Sequence, residues 1–258
     1  MAGRPIFKAI VEIDDTRVPV KLYTAARNER VSFRLLHRKD KVRLEQRMYC
    51  SEEHEPVERD ERVRGYEVAK GQYVILDREA IGEAQPQGDR RIEVMHFVDP
   101  TEIDPRFYDR PYYLGPDGAP NDHALLVRAL AEAGRAGICR WTMRRRSYVG
   151  LLTPLDDLLL LTTLRYAHEL VPVDSLELKH PEVTKKELGT AVGLIRELAS
   201  DFDPSRYRNE HQQRLMYFIE QKAKGKKPKT RPPKRRKPTR PSQLQRALEK
   251  SLERARAG

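Results

Sequence analysis

"GICRWTMRRRSYVGLLTPLDDLLLLTTL", Gly137 to Leu164, is the stretch on which the fold turns. Its short apolar runs "GICRWTM", "SYVGLLTP" and "LLLLTTL" have strand length and strand composition, and charged residues cut them apart: Arg144, Arg145 and Arg146 after the first, Asp156 and Asp157 before the last. Immediately upstream, Asp122 to Ala133 reads as a helix. Ala124, Leu125, Val127, Ala129, Leu130 and Ala133 make its small apolar face, and Gly134 is its stop. Strands on both sides of one helix argue for a barrel or a strongly bent sheet rather than a regularly alternating parallel sheet. The expected class is α+β, predominantly β.

Working outward, the segment from Ile6 to about Tyr113 is mostly strand-like. "FKAIVEI" and "RVPVKLYTA" flank a "DDT" turn, and "RGYEVAKGQYVIL" is a hairpin cornered at Lys70-Gly71. "VSFRLLHRKD" and "KVRLEQRMY" alternate apolar with charged residues around Lys39-Asp40-Lys41, which predicts a hairpin with a cationic turn. Asp77 opens a short helix in "DREAIGEA", "RRIEVMHFV" resumes a strand, and "DPTEIDPRFYDRPYYL" connects to another. Beyond Pro181 the pattern becomes helical. Thr184 and Glu187 form a capping box ahead of Leu188, Ala191, Val192, Ile195 and Leu198. Asp203-Pro204 predicts a second helix start, with Tyr207, His211, Leu215, Phe218, Ile219 and Lys222 along one face and Gly225 as its end. That face packs either on the protein's own barrel or across a partner subunit. Leu244, Leu248 and Leu252 form a last apolar seam, too short to be helical alone in water.

Charge separates the C-terminal region from the rest. The 258-residue chain has 50 Lys plus Arg against 39 Asp plus Glu, a net +11. Lys222 to Arg240 alone holds eleven cations and no anion, so the remainder sums to zero. Pro228, Pro232, Pro233, Pro238 and Pro241 deny that run a continuous helix or interior strand. Such a run is expected to act as a solvated arm for a polyanion. Nucleic acid is favoured over a membrane surface, because no basic amphipathic helix with bulky aromatics accompanies it. Two further basic clusters lie within the folded part: Arg34, Arg38, Lys39, Lys41, Arg43 and Arg47, then Arg140, Arg144, Arg145 and Arg146. No recognition-helix or zinc-finger spacing indicates base readout.

A search for chemistry finds little. Glycine-rich phosphate loops, a nucleophile elbow and paired-histidine metal helices are absent from the sequence. Cys50 and His54 offer two donors where a structural zinc needs four, so neither metal nor cofactor is expected. Adjacent strand residues face opposite ways, which disfavours Asp156 and Asp157 as joint metal ligands of a nuclease. The chain opens with "MAGRPIFKAIVEIDD" and reaches Glu12 before a long apolar run develops, and "LLLLTTL" is far short of the ~20 residues a membrane helix needs. A cytoplasmic binding protein is the expectation.

Six segments, taken together and in order, resemble the bacterial Ku family of DNA-end-binding proteins. They are "VPVKLYTA" (Val18 to Ala25), "LHRKD" (Leu36 to Asp40), "GYEVAKGQYVIL" (Gly65 to Leu76), "EIDPRFYDRPYYL" (Glu102 to Leu114), "LRYAHEL" (Leu164 to Leu170) and "FDPSRYRNEHQQRLMYFIEQKAKGK" (Phe202 to Lys226). The start departs from the family pattern, with "RPIFKAIVEIDDTR" standing where a Trp and a Ser/Gly-rich strand are usual. The resemblance implies a homodimeric ring threaded by double-stranded DNA ends in non-homologous end joining, without catalysis, near the nucleoid. It also implies an ATP-dependent DNA ligase of the ligase D type as partner, contacted through the C-terminal region. On that basis 1–175 would be the barrel core with its DNA-encircling elements, 176–225 a helical dimerisation arm carrying Tyr207, Leu215, Phe218 and Ile219, and 226–258 a flexible basic tail. DNA-contact candidates are the two folded clusters plus Lys224, Lys226, Lys227, Lys229, Arg231, Lys234, Arg235, Arg236, Lys237 and Arg240. The competing class is an architectural protein that coats internal DNA or RNA.

Overall fold

The computed structural model describes residues 3–178, 181–226 and 244–257. Seven strands close a barrel in the order β1-β2-β6-β9-β8-β7-β5. They are β1 (Phe7–Ile13), β2 (Thr16–Thr24), β5 (Arg91–Val98), β6 (Tyr108–Pro116), β7 (Ala136–Met143), β8 (Arg146–Leu155) and β9 (Leu158–Leu164). Every neighbouring pair is antiparallel except the closing one, where β1 runs parallel to β5 over Ile10↔Arg91 to Glu12↔Glu93. The unusual N-terminal strand therefore does complete the barrel, pairing with β2 from Phe7↔Leu22 to Ile13↔Thr16.

Period-two burial explains why these sequences sit as they do. In β9, Leu159, Leu161 and Thr163 point inward while Leu158, Leu160 and Thr162 alternate outward. Val11, Val20, Leu22, Ile92, Leu114, Leu152, Leu159 and Leu161 are fully buried in the lumen, and Trp141 fills the space beside them. Gly150 makes room for that indole. A Cβ there would lie 2.6 Å from the Thr162 carbonyl oxygen and 2.7 Å from the Trp141 ring. α2 (Pro120–Ala133) packs against β8, β2, β6 and β9, buries His123, Val127 and Leu130, and ends at Gly134 with φ 60°. His123 Nε2 lies 2.9 Å from the Leu114 carbonyl oxygen, which ties the helix to β6. On the outer side of β7 and β8, Ala136, Ile138 and Leu151 form a second small core with Val98, Ile103, Val149 and Leu164.

Between β2 and β5 the chain leaves the barrel. β3 (Arg64–Ala69) and β4 (Gln72–Leu76) make a separate two-stranded sheet, followed by α1 (Arg78–Glu83), whose N-cap is Asp77. The hairpin expected over "VSFRLLHRKD" and "KVRLEQRMY" is not a ladder. That segment is an open excursion with isolated bridges at Leu36↔Arg43 and Tyr49↔Pro56. Only the turn takes the expected form: the His37 N–H donates to the Val42 carbonyl at 2.8 Å and the Leu44 N–H to the Leu35 carbonyl at 3.0 Å. Alternation organises a strand only where one face is buried, and here neither is.

The chain divides into two compact units, Met1–Glu29 with Arg34–Val173, and Arg30–Phe33 with Asp174–Gly258. The second contains α3 (Lys185–Glu197), α4 (Glu210–Ala223) and α5 (Leu244–Ala257). Thr184 and Glu187 form the expected capping box on α3. The helix expected from Asp203 starts later. Asp203 caps a single 3-10 turn, Pro204–Arg206, and Asn209 caps α4, so Tyr207 lies outside the helix. α5 packs against α3 within this unit, with Leu252 against the bare backbone of Gly193, which explains how so short a helix persists. Among the described residues no helix is long and apolar enough to cross a membrane.

Candidate nucleic-acid interface

The first basic cluster decorates the open excursion. Its tight turn is held by Asp40, which pairs with His37 Nδ1 at 2.9 Å and accepts the Val42 N–H at 3.1 Å. These contacts, the His37 hydrogen bond first, hold the Asp40 carboxyl below the usual range. Lys41 adopts φ 63° and donates its Nζ to the Arg38 carbonyl. Arg34, Arg38, Lys39, Arg43 and Arg47 are exposed and make no ion pair with any described residue. The one carboxylate at the turn is thus engaged locally, leaving several cations free for an external anion.

The same excursion exposes apolar side chains, and here the sequence reading missed the main feature. Leu35, Val42, Met48, Tyr66, Tyr73 and Ile75 each leave more than three fifths of their surface in water. Both faces of the β3–β4 hairpin are exposed along its whole length. Soluble monomers rarely present so much apolar surface unless another molecule covers it. The signal was in the sequence: β4 reads "QYVIL", with apolar residues on both faces of one strand, which suits a strand clasped from two sides better than a half-solvated one.

The second cluster divides in two. Arg140 sits on the outer wall of the barrel and spends its guanidinium on Glu93 at 2.8 Å. Arg144, Arg145 and Arg146 stand at the β7–β8 turn, exposed, and pair with no described carboxylate. Arg91, next to Glu93 in sequence neighbourhood, is likewise engaged by Asp89 at 2.6 Å and Glu12 at 3.4 Å. Arg91 and Arg140 balance acids on this wall, whereas the turn arginines pair with none of the described ones.

In the helical unit, Leu215 and Phe218 are half-buried, Ile219 is exposed, and Tyr207 is exposed with its ring stacked on Phe202 at 5.7 Å. Lys224 caps the end of α4 and, like Lys226, is exposed. Lys227, Lys229, Arg231, Lys234, Arg235, Arg236, Lys237 and Arg240 lie outside the described residues. Cys50 is half-buried and its backbone carbonyl accepts the His54 N–H, but among the described residues no three potential donors gather to hold a metal. Asp156 and Asp157 form the β8–β9 turn between paired Leu155 and Leu158.

A closed barrel interrupted by a long, basic and apolar excursion is the arrangement to compare with known proteins. Residues 12–190 match the family model of the Ku70/Ku80 β-barrel domain. The chain belongs to the Ku family. A curated Ku relative, non-homologous end joining protein Ku 2 of Geotalea uraniireducens (strain Rf4), is 44% identical over 252 residues, covering 98% of each chain. The non-homologous end joining protein Ku of Solibacter usitatus (strain Ellin6076) is 33% identical over 223 residues, 86% of this chain and 84% of its own. That of Bacillus subtilis (strain 168) is 29% identical over 239 residues, 89% and 75%. The Ku match spans six of the seven barrel strands entirely and the last two residues of β1, together with the whole excursion and the start of α3.

Proposed function

We propose that the protein is a non-catalytic, homodimeric DNA-end-binding ring that acts in non-homologous end joining. The observation that carries this reading is the excursion between β2 and β5 in a Ku-family barrel. Its apolar residues need a second surface, which another copy supplies, and its cations need a polyanion. A ring that must accept any broken end cannot depend on base edges. Phosphate contacts then dominate, and affinity falls with salt by about 0.9 logarithmic units per neutralised phosphate. Retention comes from topology, since a closed ring on a duplex leaves only through an end. The C-terminal helices brace the dimer, the basic run from Lys222 to Arg240 holds DNA outside the ring, and the C-terminal region recruits an ATP-dependent ligase.

Comparing a linear duplex, the same duplex with blocked ends, and a covalently closed circle, each with divalent metal present, tests the reading. Threading predicts capture of the open duplex alone, with the DNA left at full length. Equal binding to the circle would replace threading by coating, and shortened DNA would reveal a nuclease. Light scattering on the free protein should return twice the 30.0 kDa chain mass.

A further inference from the structure

Among the described residues four hairpins close through two-residue turns, and they differ in what they place at positive φ. The β1–β2 turn uses Asp14 (φ 52°), the β8–β9 turn Asp156 (φ 49°), and the β3–β4 turn Gly71 (φ 77°). Asp and Gly are residue types that tolerate this region. The β7–β8 turn is different. Between paired Met143 and Arg146 it puts both Arg144 (φ 52°) and Arg145 (φ 64°) at positive φ, the backbone of a type I′ turn that Asn-Gly would fill with less strain. Two long cations in the least suitable backbone positions ask for a reason outside the turn.

Beside that turn lies a cavity of about 330 Å³ lined by Arg145, Gln85, Gln87, Gly82, Pro86 and Gly88. Among the described residues no carboxylate lines it. A second cavity of about 300 Å³ on the same barrel provides the contrast: Asp89 and Glu93 line it and already neutralise Arg91 and Arg140. Two acids flank the first cavity in sequence without lining it: Glu83 stands exposed next to Gly82, and Asp89 accepts from Arg91 Nε at 2.6 Å and from the Arg91 N–H at 3.0 Å, so its charge is engaged. A guanidinium accompanied by two amide side chains, with no carboxylate in the lining, matches a tetrahedral oxyanion that carries charge and several acceptor atoms. The low wall also matters. A Cβ at Gly82 would meet nothing within 4 Å, and one at Gly88 only Thr142 Cγ2 at 3.9 Å, so a polymer backbone can pass alongside.

We propose that Arg145, Gln85 and Gln87 form a binding site for a phosphate group of DNA, with Arg144 and Arg146 steering the strand toward it. The proposal rests on the DNA-binding reading above. It adds a contact on the barrel itself, separate from the excursion and the basic run. The phosphate comes either from a backbone diester or from the monoester at a 5′ terminus.

The test uses the full chain and four variants. Arg144→Asn/Arg145→Gly relaxes the turn while removing both cations. Arg144→Lys/Arg145→Lys keeps the charge, Gln85→Ala/Gln87→Ala removes the amides, and Lys185→Gln/Lys186→Gln removes the same charge from α3. Melting temperature and affinity for linear duplexes, with and without a 5′-phosphate, are measured across a salt series. The Asn-Gly variant should melt no lower than the parent, yet bind about tenfold more weakly, with a salt slope shallower by about 1 to 2. The lysine pair should recover most of the slope, the glutamine pair should lose affinity without changing it, and the α3 variant should change little. A loss confined to 5′-phosphorylated ends assigns the terminal monoester, and an equal loss on both duplexes assigns the backbone. Parent-like binding by the Asn-Gly variant, or an equal loss in the α3 variant, overturns this site and leaves the ring intact. Failure of the parent chain to bind DNA at all removes both.

Discussion

The β8–β9 and β3–β4 hairpins are built from similar residues and meet opposite fates. In β9 alternate residues disappear into the lumen, down to zero exposure at Leu159 and Leu161, while every residue of β3 and β4 remains exposed. Local propensity makes both hairpins. Burial stabilises only the first, at about 25 cal/mol per Å² of apolar surface removed from water, and the described residues leave the second uncovered. An isolated two-stranded ribbon is marginal in water, which is the physical reason for expecting the second copy proposed above to cover it.

The sharpest way to break that contrast is to add one methyl group to each region. Gly150→Ala drives a Cβ into the Thr162 carbonyl and the Trp141 ring, neither of which can yield, and should cost about 3 kcal/mol in chemical denaturation or prevent folding. Gly65→Ala brings a Cβ to 3.2 Å from Tyr73 Cβ, a tight contact that a shift of a few tenths of an ångström between two exposed strands relieves, and should change the denaturation midpoint far less. Comparable losses in the two would show that the excursion is as tightly packed as the barrel.

Truncation gives the next largest effect. Leu159→Ala in the lumen should cost about 3 kcal/mol through lost burial and a residual cavity. Ile75→Ala in β4 should stay within about 0.5 kcal/mol for the monomer but raise the concentration needed for dimers in sedimentation experiments. An Ile75 variant that dimerises like the parent would remove the excursion from the interface.

Thiol labelling probes the same difference without changing stability. Burial pushes the Cys139 thiol up to about 12 and shields it from reagent, whereas Cys50 is only half-buried. The native protein should label once, at Cys50, and a second time only as the barrel unfolds. Because the folded value of Cys139 exceeds its ordinary 9.0, the sign of its linkage is a loss of stability as pH rises from about 9 toward 12.

The smallest expected effect is at Asp104, which caps the turn before β6. Its side chain accepts from the Arg106 side chain and from the Arg106 N–H, and its carboxyl falls to about 2 from an ordinary 3.8. A depressed folded value means that the contribution is complete above about pH 4 and disappears as pH falls toward 2. Asp104→Asn should therefore lower the urea midpoint slightly at pH 7, with the difference from the parent shrinking below pH 4 and vanishing as pH falls through about 2.

Much of this was legible in the sequence for identifiable reasons. The capping box of Thr184 and Glu187, the Gly134 stop and the strands from Gly137 to Leu164 are local signals, satisfied by neighbours along the chain. The hairpin expected over Val31 to Tyr49 failed because alternation predicts a ladder only when something covers one face. Within the candidate interface, composition pointed to Arg140 and Arg144 alike. The fold separated them, since β5 brings Glu93 across from Arg140 and nothing acidic across from the turn.

By itself the sequence determined the strand-rich class, the polarised charge and the likeness to Ku, because composition, period and motif order are properties of the chain alone. Tertiary structure decided which parallel pair closes the barrel, that α5 lies against α3, which cations are already neutralised, and which apolar residues remain uncovered. Those outcomes depend on pairing between residues far apart in sequence, where loop closure and burial rather than local preference select the arrangement.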